Sequence, residues 1–266
     1  MIVIKYGGHA MSDTDGHFAE AVQAALDSGQ ECLIVHGGGP QIDTAMANEG
    51  IEPSFVGGFR FTTQDIFQIV ERTLTGVVAP NVVAKLRSRG INAVGISGRD
   101  GGVLIARKLT TLVNEVEADL GLVGEVIRVD ATYLQVALDA GFLPVLSPIA
   151  VLGDEVSEDS SVGLNVNADL AAGAIAGAFQ ADSLIILTDV PGIYSNWPDK
   201  SSLISTISVT ELREMQNSFH DGMLPKVFAC INAIESGTKS VRIIDGTNSE
   251  SFGLALRGIG GTVVTP

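Results

Sequence analysis

Short runs of β-branched and other apolar residues alternate with amphipathic stretches almost from one end of the chain to the other. No other feature of the sequence restricts the fold as much. A first run covers 2–6; Phe18, Ala21, Val22, Ala25 and Leu26 then repeat at helical spacing, and Gly29 stands where a helix stops. Residues 32–36 form a second run, closed by Gly37, Gly38 and Gly39, after which 41–48 can wind again. The stretch 65–87 reads as one long helix kinked near Pro80, followed by a strand at 93–96. Alternating side chains at 103–107 and 125–129 predict a hairpin, 132–140 a helix and 142–146 another buried strand. The last third repeats the pattern: helix 168–179, strand 184–187, helices at 209–216 and 226–235, strand 240–244, then a closing helix and strand. Strands separated by helices require crossovers. The expected fold class is therefore α/β, a three-layer α/β/α sandwich around a mostly parallel central sheet, in one compact unit with two lobes and no sharp linker.

Charge and hydropathy remove several function classes. With 31 acidic against 16 basic residues the formal net charge is −15, and no cluster of Lys or Arg forms a basic stripe, so nucleic acid is not an expected partner. The longest charge-free stretch, 140–153, contains Pro144 and Pro148 and is too short to span a bilayer. The opening MIVIKYGGHAM lacks the layout of a secretory signal, and a cytoplasmic location is expected. Cys32 and Cys230 lie in apolar settings and read as buried reduced thiols. His9, His17, His36 and His220 are scattered without metal-ligand spacing, so no protein metal site is expected.

Glycines gather where strands end. The first strand runs into Gly7 and Gly8, the second into Gly37–Gly39, and the strand at 93–96 into Ser97-Gly98-Arg99-Asp100-Gly101-Gly102. Glycine lets a backbone N–H approach an anion closely, and a following helix N-terminus adds partial positive charge. Three such loops at the carboxyl ends of parallel strands are expected to converge on one edge, where open α/β sheets bind ligands. Tight turns alone would use the same residues. Neither GxxxxGK[ST] nor a strand-linked GxGxxG is present, and the HGGG sequence has no GxSxG partner, since Ser161 lies in DSSVG. Four charged residues stand out: Lys5 ends an apolar strand, and Lys226 follows Pro225 at a helix start. Asp169 begins an Ala-rich helix, and Arg60 sits between two aromatics. Taken one at a time, each reads first as an ordinary structural residue: a solvated lysine, a helix-start acid or a surface arginine.

In order along the chain, KYGGHAM at Lys5, IVHGGGPQI at Ile34, GGFRFT at Gly57, GISGRDGG at Gly95 and DLGLVGEV at Asp119 resemble the amino acid kinase superfamily. So do LPVLSPIA at Leu143, NVNADLAA at Asn165, LTDVPGIY at Leu187, DGMLPKVFAC at Asp221 and IIDGT at Ile243. Within the superfamily the resemblance is to the acetylglutamate kinases and covers nearly the whole chain. Phe59 and Phe61 depart from the Leu and Val commoner beside the arginine, and YSNWPDKSSLIS resembles a longer loop of some bacterial members.

The resemblance implies ATP-dependent phosphorylation of the γ-carboxylate of N-acetyl-L-glutamate, in arginine biosynthesis. It implies Lys5 on the transferring phosphoryl, Lys226 on the leaving side, and Asp169 holding both ammonium groups. Gly38, Gly39, Arg60 and Asn165 would bind the acid. Gly7, Gly8, Asp189, Val190, Gly192, Tyr194, Gly222 and Met223 would bind the nucleotide, with Mg²⁺ arriving on ATP. Residues 1–180 would form a lobe for substrate and dimerisation, and 181–266 a nucleotide lobe. A homodimer is expected; with Ile2 already in the first strand, the extra helix of arginine-inhibited hexamers has no room. Rival readings are a kinase for another acid, such as carrier-bound aminoadipate, and a non-catalytic sensor on the same fold.

Overall fold

A computed structural model describes residues 1–8, 11, 15–111, 116–154, 158–219, 221–248 and 250–266; His9 and His220 lie outside this set. The strands run β1 (Ile2–Tyr6), β2 (Cys32–His36), β3 (Phe55–Val56), β4 (Phe59–Arg60), β5 (Ala93–Ser97), β6 (Leu104–Lys108) and β7 (Val123–Val129). They continue with β8 (Leu143–Ser147), β9 (Ile149–Gly153), β10 (Glu158–Val166), β11 (Ser183–Thr188), β12 (Thr206–Ser208), β13 (Val241–Asp245) and β14 (Thr262–Thr265). Helices are α1 (His17–Asp27), α2 (Gly39–Asn48), α3 (Gln64–Thr73), α4 (Ala79–Arg87) and α5 (Thr132–Asp139), then α6 (Ala168–Ala178), α7 (Val209–Met215), α8 (Leu224–Glu235) and α9 (Ser251–Leu256).

Eight strands pair in the order β12-β14-β13-β11-β1-β2-β8-β5, parallel except where β13 meets β14. Because side chains alternate across a pleated strand, each strand feeds two cores. Val3, Leu33, Val35, Leu184 and Ile186 pack with α5, α6, α7 and α8 on one face. Ile2, Ile4, Tyr6, Ile34, Ile185 and Leu187 pack with α1, α2, α3, α4 and α9 on the other. The three-layer arrangement expected from the sequence is thus the one formed.

Two features differ from the sequence expectation. Strands β6 and β7 pair antiparallel as read, but with β9 and β10 they close a small barrel in the order β10-β7-β6-β9. Strand β10 is polar, EDSSVGLNV, and its register shifts between Asp159 and Gly163, which erases the period-2 signal of a strand. The helix over 65–87 is not kinked but interrupted: residues Leu74–Val78 form a π-helical turn between α3 and α4. Pro80 lacks an N–H and would clash with the Gly76 carbonyl in a regular helix; the wider turn relieves both.

Candidate active site

Lys5 occupies a position of β1 whose side chain points to the α6 face, by the same alternation that buries Val3 there. It emerges at the carboxyl end of the strand, only 7% exposed, directly before the glycines. Asp169 sits in the first turn of α6, where the Asn167 side chain caps the helix by accepting from the Asp169 and Leu170 amides at 2.9 and 3.3 Å. A carboxylate there is favoured by the helix dipole. Lys226 lies in the first turn of α8, which Pro225 helps to start.

The three side chains meet. Lys5 Nζ is 3.0 Å from Asp169 Oδ1 and Lys226 Nζ is 3.1 Å from Oδ2, so one buried carboxylate serves two ammonium groups from distant parts of the chain. The Lys5 contact is an ion pair off the hydrogen-bond direction; that lysine donates instead to the Leu187 carbonyl at 3.4 Å. Lys226 also donates to Gly222 O at 3.2 Å. Burial alone would push the Asp169 carboxyl up, but the charges of Lys5 and Lys226 outweigh it and hold it at about 2. The Asp169 charge raises Lys226 above the ordinary lysine range, against its own partial burial, and Asp189 adds to the rise. Two ammonium groups thus share one buried carboxylate, with the exposed Asp189 the further carboxylate acting on Lys226.

The approach of α8 to α6 depends on small residues. A Cβ on Gly173 would lie 2.8 Å from Ala229 O, and one on Gly177 would lie 2.3 Å from Ser236 Cβ. The Ala/Gly sequence of α6, opaque as a function signal, is what lets Lys226 reach Asp169.

Lys5 and Asp169 line a cavity of about 240 Å³. Its walls also include Gly8, Gly38, Gly39, Arg60 and Asn165, four of them residues expected on the acid's side. Gly37 donates to Tyr6 O at 2.8 Å, and a Cβ on Gly7 would stand 3.2 Å from Gly37 Cα, so the first two glycine loops touch backbone to backbone. The N-termini of α2 and α6 face the same space. Backbone amides, two helix N-termini and the Lys5 ammonium group give it the chemistry that suits an anion.

Arg60 leaves the β3–β4 hairpin, whose turn is Gly57-Gly58 with φ of 56° and 85°. Its guanidinium is buried, ion-paired with Asp43 Oδ1 at 2.6 Å, bonded to Met46 Sδ at 3.3 Å and set 4.7 Å from the Phe55 ring centre. Asn165 donates to Thr62 Oγ1 at 3.2 Å, and Thr62 donates to Arg60 O at 2.7 Å. Sequence reading missed Asp43, Thr62 and Asn167. Asn two residues before Asp at a helix start is a readable cap; Asp43 gives no signal, because its partner is distant.

Of the residues expected to bind the nucleotide, Asp189 is exposed and accepts from Thr188 Oγ1 at 3.1 Å. Val190 and Met223 are half-buried, and Gly222 meets Lys226 as described. Gly192 is packed against β14, where a Cβ would lie 2.4 Å from Thr262 Oγ1; Tyr194 stands edge-on to Trp197 at 5.2 Å.

The third glycine loop does not join the other two. Gly98 packs on β9, where a Cβ would come within 2.3 Å of Ile149 O. Ser97 N–H donates to Asp100 Oδ2 at 2.9 Å, Arg99 pairs with Glu71 at 2.5 Å, and the loop borders a separate cavity of about 610 Å³. All three loops leave the carboxyl edge of the parallel sheet, but convergence on one site is corrected to two of them, since β5 lies beyond β8 at the sheet margin and its loop borders the other cavity.

Among the described residues no group of three or more His, Cys, Asp or Glu could hold a metal ion, and no helix is long and apolar enough to cross a membrane. Cys32 and Cys230 are buried free thiols; burial pushes Cys32 to about 12 and Cys230 higher still.

Residues 1–245 match the sequence profile of the amino acid kinase family. An acetylglutamate kinase of Paenarthrobacter aurescens is 46% identical over 99% of this chain and 86% of that protein. Another, of Corynebacterium glutamicum, is 42% identical over 100% of this chain and 90% of its own length. In three dimensions the crystal structure of smu.665 from Streptococcus mutans aligns with a TM-score of 0.82 at 27% identity, over 99% of this chain and 98% of that one.

Proposed function

The chain belongs to the amino acid kinase family, and from that premise we infer that it transfers the γ-phosphoryl group of ATP to the γ-carboxylate of N-acetyl-L-glutamate, a step of arginine biosynthesis. The observation that carries this reading is the pair of ammonium groups held on one buried carboxylate beside the glycine loops. An acid acceptor is ionised at neutral pH, so the reaction needs no general base. What opposes it is repulsion between two anions, and phosphoryl transfer is catalysed chiefly by positioning and charge stabilisation.

In this reading Lys5 faces the transferring phosphoryl and Lys226 the leaving side, with Asp169 fixing both. Gly7, Gly8, Gly38 and Gly39 offer backbone N–H groups to phosphoryl and substrate oxygens. Arg60, already bonded through two of its N–H groups, turns others to the α-carboxylate, and Asn165 binds beside it. Asp189, Val190, Gly192, Tyr194, Gly222 and Met223 form the nucleotide side, Gly192 by letting that segment pack on β14. Residues 1–180 then serve the acid and 181–266 the nucleotide.

The donor set does not fit a protein cage for Mg²⁺, since both Asp169 oxygens are taken by lysines. Mg²⁺ is assigned to the nucleotide it travels with, and no step here depends on a protein ligand to it. A homodimer in the cytoplasm completes the proposal, supported by the family likeness, with light scattering as its check.

The test is hydroxylamine trapping of an acyl phosphate, run with ATP and a panel of acids. N-acetyl-L-glutamate giving the hydroxamate well above glutamate, aminoadipate or carbamate supports the assignment; a preference for another acid, or no product with any, overturns it.

A further inference from the structure

His36 ends β2 with no solvent exposure and lies immediately before the glycine loop. Its Nδ1 is 2.7 Å from Gly37 O and its Nε2 is 2.8 Å from Ser147 Oγ, on β8. Ser147 Oγ is in turn 3.4 Å from Leu74 O, at the start of the π turn. From the other side, Leu74 packs against the loop: a Cβ on Gly38 would fall 2.5 Å from Leu74 Cδ2.

These contacts fix the imidazole's protons. A carbonyl only accepts, so Nδ1 carries the hydrogen and donates to Gly37 O. In the neutral ring Nε2 is then an acceptor and takes the hydroxyl proton of Ser147. Leu74 O is not stranded by this, because the Ala79 N–H already donates to it across the π turn. The opposite tautomer would set the lone pairs of Nδ1 and Gly37 O against each other at hydrogen-bond distance. A charged ring would satisfy every contact but is opposed by burial, which lowers His36 to about 4.

We infer that His36 is a positioning residue for phosphoryl transfer: its Nδ1–H pins the Gly37 carbonyl, and the planar trans peptide thereby turns the Gly38 N–H away from the ring as a fixed donor. The inference rests on the kinase reading above and adds the group that aims one of its amides. A preset donor costs no reorganisation when charge develops on the phosphoryl oxygens, which is where such amides act. Ser147 holds the far end of the ring and ties the loop to β8.

Two arms test it. In the wild-type protein, ¹⁵N NMR of the imidazoles, with His36 assigned by difference from His36→Asn, needs no turnover. The Nδ1–H tautomer, unchanged from pH 8 to 5.5, is expected; an Nε2–H tautomer or titration in that range overturns the inference. In the second arm, Asn keeps an N–H near the Nδ1 position and Phe does not. His36→Phe is expected to lower kcat at least tenfold with both KM values nearly unchanged, and His36→Asn to stay within about threefold of wild type. Equal losses in the two folded variants, or full kcat in His36→Phe, overturn it. Absence of kinase activity in the wild type would strike the reaction assignment and, with it, the catalytic part of this inference, while the tautomer arm would still report on the ring.

Discussion

The ends of β1 and β2 and the end of β5 are written in nearly the same glycine-rich language, yet they do different work. At β5 the charges are part-exposed and each is matched: Asp100 takes the Ser97 amide, the Arg99 amide donates to Ser97 Oγ, and the Arg99 guanidinium is closed by Glu71 and the Ser160 carbonyl. At β1 and β2 the ion pairs are buried and join distant parts of the chain, and two ammonium groups share a single buried carboxylate. Glycine density marks tight backbone. A ligand site is marked by buried charge joined across distant parts of the chain.

That contrast can be broken by substitutions at either end. Asp169→Asn removes the one buried carboxylate that Lys5 and Lys226 share. Breaking a buried pair in this way is expected to cost about 3 kcal/mol or more, read as a lowered urea midpoint, with activity lost as well. A stable and active Asp169→Asn protein would remove the shared carboxylate from the account. Arg60→Ala is expected chiefly to raise the apparent KM for N-acetylglutamate while the KM for ATP holds; an equal rise in both would contradict an acid-side role. Gly98→Ala is the complementary test at the quiet end. Its Cβ meets the Ile149 carbonyl, so stability should fall by roughly 1–3 kcal/mol while kcat of the folded fraction stays near wild type. A specific loss of kcat there would return the third loop to the site.

The smallest expected effect on stability comes from the protonation of His36. Its folded-state pKa of about 4 lies below the ordinary histidine value, so the unfolded chain takes up its proton first as pH falls. The contribution is fully present above pH ~6.5 and is lost as pH drops through about 4. Urea midpoints between pH 7 and 4 should decline less steeply in His36→Asn than in wild type; parallel slopes would contradict a buried neutral ring.

Much of this was legible in the sequence, for a definable reason. β1, α1, β2 and α8 follow local rules of period and capping, and Lys5, Asp169 and Lys226 were each conspicuous as charges in apolar or helix-start settings. Their meeting point was supplied by family resemblance, not by spacing, because contacts between such distant parts of the chain leave no local trace. The barrel strand β10 was hidden by its polar, bulged sequence, the π turn by a hydrophobic period that continues through it, and Asp43 by having its partner on another element. The third loop misled because its glycines serve close packing on β9.

The most direct measurement is hydroxamate formation by Lys5→Met and Lys226→Met at saturating ATP and N-acetylglutamate, with thermal unfolding run alongside to confirm that each variant is folded. The account predicts turnover lowered by a factor on the order of 100 or more in each, the scale of losing a preset electrostatic group. Turnover near wild type in either folded variant would contradict it.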